Sequence, residues 1–307
     1  MGSTFRVGLI GAGAVGVYYT SLLSDRDRHF TLFTRSVDAY TNPTIKIDSV
    51  LGGHEWTPDV VHPLGEGLSY ELDMLLVATK VHPEINLPEL ISPYLSKQTV
   101  VVLIQNGIFI EDQLMKMIRQ PILRALAFIC CYRHDYQYIE HIDYGPLTIG
   151  IKQTGEDALL AQQALNVFEK SEIDVSIESN IDLAIWKKLV WNAPFNPLSV
   201  LHGGVSTDQL LNSSDSFHQV VMIMDEVINV ANIAGVRISE QFREKMILNT
   251  RNMAPYKTSM CLDYESNQPI ELDAILGNFI AYAKACDIEV PMAESVYHQC
   301  MSLLKPI

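Results

Sequence analysis

The first half of the chain alternates short apolar runs with stretches of helical period. Residues 5–10, 30–33, 74–78 and 100–104 read as strands, followed by 123–131 and 147–150. Continuous apolar runs of this kind suit strands covered on both faces of a parallel sheet. A helix is expected from Val15 to about Leu23. Residues 44–61 read as additional extended structure, interrupted by Gly52-Gly53. Helical period returns at 157–170, and a last strand is expected at 174–177. From about Asp182 the pattern changes, and long helical periods dominate at 217–235, 240–249 and 270–286. The expected fold is α/β: a Rossmann-type dinucleotide-binding domain over residues 1–179, then an all-α substrate-binding domain over 180–307.

The first strand runs directly into Gly11-Ala12-Gly13-Ala14-Val15-Gly16, a G-x-G-x-x-G turn opening a helix. Gly11 permits the tight turn, Gly13 lets backbone approach a pyrophosphate, and Gly16 lets helix and strand pack closely. The helix N-terminus favours an anion through its unpaired N–H groups and dipole. The end of the second strand chooses the cofactor. Where an NAD site carries an acid for the ribose, this chain has Thr34-Arg35-Ser36, with no acid before Asp38. A guanidinium and two hydroxyls suit a 2′-phosphate, so NADP(H) is expected.

A second pattern lies in the helical half. Lys188, Asn192 and Asn196 recur every four residues, on one stripe of a helix read as starting near Trp186. Trp186, Trp191 and Phe195 flank the stripe. A core stripe does not normally hold an ammonium and two amides. The expectation is the wall of a wet cleft that binds a polar ligand. Lys187 points about 100° away around the helix.

Two strand ends add candidates, because ligands of open α/β sheets lie beyond the carboxyl ends of the strands. One is Lys80 in Thr79-Lys80; the other is Asn106 in Gln105-Asn106-Gly107, where Asn-Gly also suits a turn. Glu271 and Asp273 follow Pro269, near the start of a helix whose dipole both would complement.

Composition narrows the partners. A net charge of −14 argues against nucleic acid or an anionic membrane. No apolar run reaches membrane-span length, and no targeting segment is read before the strand at Phe5. Cys130, Cys131, Cys261, Cys286 and Cys300 contain no C-x-x-C and suit reduced thiols. A cytoplasmic protein is expected. His134 and His141 read as strand or loop histidines, and no metal site is expected.

With these residues laid out, the chain resembles the ketopantoate reductase family (2-dehydropantoate 2-reductase). The resemblance rests on Gly11–Gly16, Thr79-Lys80, Gln105–Gly107, Trp186–Pro197, Ser259-Met260 with Asp263, and Glu271-x-Asp273-x-x-x-Gly277. It implies NADPH-dependent reduction of ketopantoate to (R)-pantoate, on the route to pantothenate and coenzyme A. It further implies Lys188 as general acid, with Asn192, Asn196 and Ser259 on the substrate. Glu271 would hold the substrate's hydroxyl end and help assemble the site. Asn106 would lie between nicotinamide and substrate, and Lys80 would contact cofactor or line the cleft. The chain departs from the family at Ser266-Asn267-Gln268-Pro269, where an arginine is usual.

Two other readings stand beside this one. One is a D-2-hydroxyacid dehydrogenase of the same superfamily, acting on another branched or aromatic 2-keto acid. The other is a non-catalytic NADP-binding sensor, against which the intact set Lys188, Asn192, Asn196, Ser259 and Glu271 argues. The long helices of the second half could bury an apolar face in a homodimer.

Overall fold

The computed structural model describes residues 4–24 and 27–304. They form two compact units. The first comprises Met1–Lys80, Glu84–Gln105 and Glu111–Ile181. The second comprises Asp182–Ile307 together with two short excursions of the N-terminal half, Val81–Pro83 and Asn106–Ile110. Among the described residues no helix is long and apolar enough to cross a membrane.

The first unit is built on one sheet. Its strands are β1 (Phe5–Ile10), β2 (Arg28–Thr34), β3 (Ile45–Ser49), β4 (His54–Trp56), β5 (Val60–Pro63), β6 (Met74–Val77), β7 (Val100–Leu103), β8 (Ile122–Asp135), β9 (Tyr138–Gln153) and β10 (Val175–Ile177). The path β5-β2-β1-β6-β7-β8 is parallel throughout. That is the doubly wound order in which the chain reverses direction across the sheet between β1 and β6. Antiparallel β9 closes this run, and β3, β4 and β10 extend it.

Both faces of the central strands are covered, which is why β6 and β7 are apolar at every position and the inner parts of β1 and β2 are buried on both faces. On one face Leu9, Leu32, Leu76 and Val102 pack with Val17, Tyr19, Leu165 and Phe168. On the other, Ile10, Phe33, Val77 and Leu103 pack with Ile91 and Leu114. The outer half of the β8–β9 hairpin runs well past the expected strand ends. It pairs with β3, buries Ile139 and adds surface contacts. His134 pairs with Glu140 at 2.8 Å and stacks on Tyr138, and the Arg133 guanidinium lies over Tyr40 and Tyr136. His141 is buried on β9, with Ser49 Oγ 2.8 Å from its Nδ1.

The glycine turn follows β1. The helix begins at Ala14, one residue before expectation, and ends at Leu22. Gly11 has φ +94°, and a Cβ there would lie 2.3 Å from the Thr79 backbone nitrogen. A Cβ on Gly16 would lie 2.4 Å from the Gly11 carbonyl oxygen. Gly13, the N-cap, has ordinary φ −79° and nothing within 4 Å of a Cβ position. Two of these glycines are therefore demanded by the fold, and the third faces open space.

Beneath the end of β7 lies a buried ionic group. Arg124 Nε is 3.7 Å from Glu111 Oε2, and Lys152 Nζ is 3.2 Å from Glu111 Oε1. Arg124 Nη2 donates to the Gln105 carbonyl at 3.1 Å. The Gln105 side chain in turn donates to the Thr79 carbonyl at 2.8 Å, tying the ends of β6 and β7 together.

The second unit is helical: Ile181–Leu201, Thr207–Asn212, Ser214–Ile233, Glu240–Asn252, Ser259–Glu265, Asn278–Ala285 and Pro291–Leu304, with a π-helical turn at Asp273–Gly277. The stripe-bearing helix begins at Ile181, not near Trp186, so the stripe occupies its middle. Pro194 and Pro197 lie inside it. Each removes a backbone donor. Complete burial of Val190, Phe195 and Leu198 offsets that loss. Glu226 accepts the Met292 and Ala293 backbone N–H groups, both at 2.8 Å, and so caps the last helix.

The two glycines separate stability from ligand space. Gly11→Ala is expected to cost at least about 2 kcal/mol, from positive φ and backbone overlap. Gly13→Ala is expected to stay within about 1 kcal/mol, because a poorer N-cap and a stiffer unfolded chain oppose each other. Urea unfolding of the two variants checks this, and equal losses would contradict it.

Candidate active site

Three expected residues converge in the helical unit. Lys188 Nζ donates to Asn106 Oδ1 at 3.0 Å. Asn106 Nδ2 donates to Glu271 Oε2 at 3.4 Å. Glu271 Oε1 accepts the Val81 backbone N–H at 2.9 Å. All four groups are part-buried. The amide is suited to the middle of this chain, since it accepts from a cation on one side and donates to an anion on the other. Charge-assisted bonds of this kind are the stronger ones.

The stripe deepens along the helix. Lys188 is half-buried, Asn192 is 8 % exposed and Asn196 is 3 % exposed. Asn196 Nδ2 donates to the Asn192 carbonyl at 3.2 Å, while Asn196 Oδ1 has no hydrogen-bond partner. A buried amide oxygen left bare is costly, and a ligand donor would relieve that cost. One turn on, Ser199 Oγ donates to the Asn196 carbonyl at 2.7 Å and lies 2.8 Å from Thr258 Oγ1. Thr258 caps the helix Ser259–Glu265 by accepting from the Cys261 N–H at 3.2 Å. The N-terminus of that helix is thereby fixed beside Asn196, with Ser259 exposed at its first position.

The flanking aromatics do not line a wet wall as expected. Trp186 is 4 % exposed and packs edge-on to Phe279 and Tyr282. Trp191 stacks on Phe195 and donates from Nε1 to Thr250 Oγ1 at 3.0 Å. Their task is to lock the helix among its neighbours and so hold the phase of the stripe. Lys187 faces elsewhere, with its Nζ 5.6 Å from the Phe242 ring centroid in a groove shared with Arg237.

Asp273 has a packing role. Its Oδ1 accepts from the Tyr297 hydroxyl at 2.5 Å. That bond, with burial added, pushes the Tyr297 phenol up to about 12. Glu271 lies just before the helix rather than within its first turn.

The remaining expected residues belong to the sheet unit. Gly11, Ala12, Gly13, Ala14, Val15 and Gly16 form the β1 turn and helix start. Arg35 is exposed just past β2, beside Thr34 and Ser36, where Ser36 N donates to Thr34 Oγ1 at 3.1 Å. Lys80 is exposed at the end of this unit's first segment. The open space at Gly13, and a helix start with neither a side-chain cap nor an acid in its first turn, fit a dinucleotide pyrophosphate.

Sequence reasoning missed the Val81 N–H, Ser199 and Thr258. The first is a main-chain donor and carries no sequence signal. The others are small polar residues whose partners are remote in sequence. Among the described residues no group of three or more His, Cys, Asp or Glu is placed to hold a metal ion.

Comparison with known proteins agrees across both halves. Residues 7–153 match the family model "Ketopantoate reductase PanE/ApbA", and residues 180–303 match "Ketopantoate reductase PanE/ApbA C terminal". A 2-dehydropantoate 2-reductase of Nostoc sp. is 30% identical over 302 residues, covering 96% of this chain and 93% of that protein. The crystal structure of 2-dehydropantoate 2-reductase from Methylococcus capsulatus superposes with a TM-score of 0.86 at 34% identity, covering 98% of this chain and 96% of that one. The corresponding Geobacter metallireducens structure gives 0.87 at 29%, covering 97% and 100%. Two family models that together span most of the chain, and a relative similar along nearly its whole length, lead to one conclusion: the chain belongs to the ketopantoate reductase family of oxidoreductases.

Proposed function

We propose that this protein is an NADPH-dependent 2-dehydropantoate 2-reductase, converting ketopantoate to (R)-pantoate in the cytoplasm for pantothenate and coenzyme A synthesis. The observation that carries the reading is the hydrogen-bonded chain Lys188–Asn106–Glu271. It joins a proton donor to a hydroxyl acceptor through one amide.

When bound, the reduced nicotinamide supplies a hydride to the ketone carbon. The ketone oxygen then gains negative charge, and a positioned ammonium can stabilise that charge and give up a proton. Lys188 is that donor. An ammonium has three N–H groups, so its bond to Asn106 is compatible with another to the ketone oxygen. Glu271 accepts the substrate's terminal hydroxyl, since a carboxylate offers about four lone-pair sites. Asn192, Asn196 and Ser259 serve the substrate's carboxylate end, where amide N–H and hydroxyl groups can donate to it. Gly11–Gly16 cradle the pyrophosphate, Arg35 meets the 2′-phosphate, and Lys80 lies on the cofactor side.

The same residues would serve a D-2-hydroxyacid dehydrogenase acting on a bulkier 2-keto acid. The observation favouring it is the turn at Ser266-Asn267-Gln268-Pro269, which brings no cation and places Asn267 at φ +52°. NADPH oxidation against a panel of branched and aromatic 2-keto acids decides between the two.

Two variants test the acid. Lys188→Ala is expected to fold, to bind NADPH normally and to lose kcat by about 100-fold or more. Lys187→Ala is expected to stay within about threefold, because its ammonium lies over Phe242. Equal losses would mean that the helix phase does not select the acid.

Cofactor choice is tested by titration. NADPH is expected to bind at least about tenfold tighter than NADH, and Arg35→Ala to weaken NADPH far more than NADH. Equal affinities in the unaltered protein would contradict the assignment of Arg35.

A further inference from the structure

Asn106 is held by more than its own side chain. The segment Asn106–Ile110 bears on the helix that follows Glu271, and that helix is irregular where the segment meets it. Residues Asp273–Gly277 form a π-helical turn. In a regular α-turn the Asn278 N–H would bond to the Ala274 carbonyl. Here the Asn278 N–H bonds to the Asp273 carbonyl instead. The Ala274 carbonyl accepts from the Ile108 N–H at 3.1 Å. The Ile108 carbonyl accepts from Asn278 Nδ2 at 2.8 Å. Both hydrogen-bonding groups of Ile108 are therefore committed to the widened turn.

Neighbouring residues tighten the fit. Gly107 has φ +103°, and a Cβ there would lie 2.5 Å from the Ala274 carbonyl oxygen. Phe109 has φ +59°, a conformation disfavoured for a bulky side chain. It is held there by stacking on Tyr282, with centroids 4.4 Å apart, and by the edge of Trp186 at 5.9 Å. Asn278 itself is out of keeping with its setting. It is half-buried between Leu276 and Phe279, and asparagine is a poor residue for a helix. Leucine would serve local helix stability better, so propensity does not account for the amide at this position.

We propose that Asn278 is a positioning residue for the reduction, acting through the Ile108 peptide to hold Asn106 between Lys188 and Glu271. The proposal rests on the reductase reading above. Without the Asn278 bond the segment keeps one anchor on the π-helical turn instead of two. Asn106 would then drift from the geometry in which it orients the ammonium.

The test compares the unaltered protein with Asn278→Leu and Asn278→Gln by two measurements. The first is amide hydrogen exchange at Ile108 in the ligand-free protein. The second is steady-state reduction of 2-dehydropantoate by NADPH. Asn278→Leu is expected to fold, its better helix propensity offsetting part of the lost hydrogen bond, and to speed Ile108 exchange by about tenfold. It should lower kcat by about tenfold or more while KM for NADPH stays within about twofold. Asn278→Gln, which keeps a donor, should recover part of kcat. Unchanged Ile108 exchange in Asn278→Leu would overturn the proposal, and so would faster exchange with kcat intact. If the unaltered protein reduces no 2-keto acid, the reductase reading falls, and the positioning role falls with it. Turnover of the unaltered protein thus tells the two failures apart.

Discussion

The organisation of the helical unit around Lys188 and Glu271 turns on one amide. Asn106 accepts from the Lys188 ammonium and donates to the Glu271 carboxylate. A carboxamide does both because its oxygen accepts and its nitrogen donates. A direct lysine–glutamate pair would bind the two charges to each other. An interposed amide keeps them apart and orients both, so that each retains capacity for substrate. The partly buried setting strengthens these bonds relative to water and penalises any partner left unmet.

The rest of the unit serves to keep that amide in place. The helix Ile181–Leu201 fixes Lys188 through buried aromatics on its flanks. The π-helical turn presents a backbone acceptor to the segment that carries Asn106, and Asn278 supplies the matching donor. Tyr297 secures the start of the same turn through Asp273. Widened helical turns recur at functional sites, and here the widening redirects one carbonyl, that of Ala274. In the sheet unit the division of labour is similar. Gly11 and Gly16 answer to packing, whereas Gly13 leaves room.

Much of this is legible in the sequence, for identifiable reasons. β1, β2, β6 and β7 are covered on both faces, so apolar residues dominate them, without interruption in β6 and β7. The glycine turn stands out because a strand precedes it and a helix follows. The Lys188–Asn192–Asn196 stripe is visible because a charge and two amides conflict with a core helix. Other features leave little trace. The outer β8–β9 hairpin carries Arg133, His134, Tyr138 and Glu140, joined by a His134–Glu140 contact and ring contacts, and this polar composition mimics a loop. Pro194 and Pro197 argue against a helix over Ile181–Leu201 that burial nonetheless sustains. A π-helical turn has no residue signature. The only local hint is Asn278, a polar residue of low helix propensity among apolar neighbours.

The central claim is that Glu271, oriented by Asn106, reads a hydroxyl on a 2-keto acid whose ketone meets Lys188. Its most direct test compares ketopantoate with 2-keto-3,3-dimethylbutanoate, which differs only in lacking the terminal hydroxyl. A site built to bond a hydroxyl rejects an analogue without one, because its own polar group is left unpaired. The account predicts that kcat/KM with NADPH falls by about 100-fold or more for the hydroxyl-free acid. Equal kcat/KM for the two acids would contradict it.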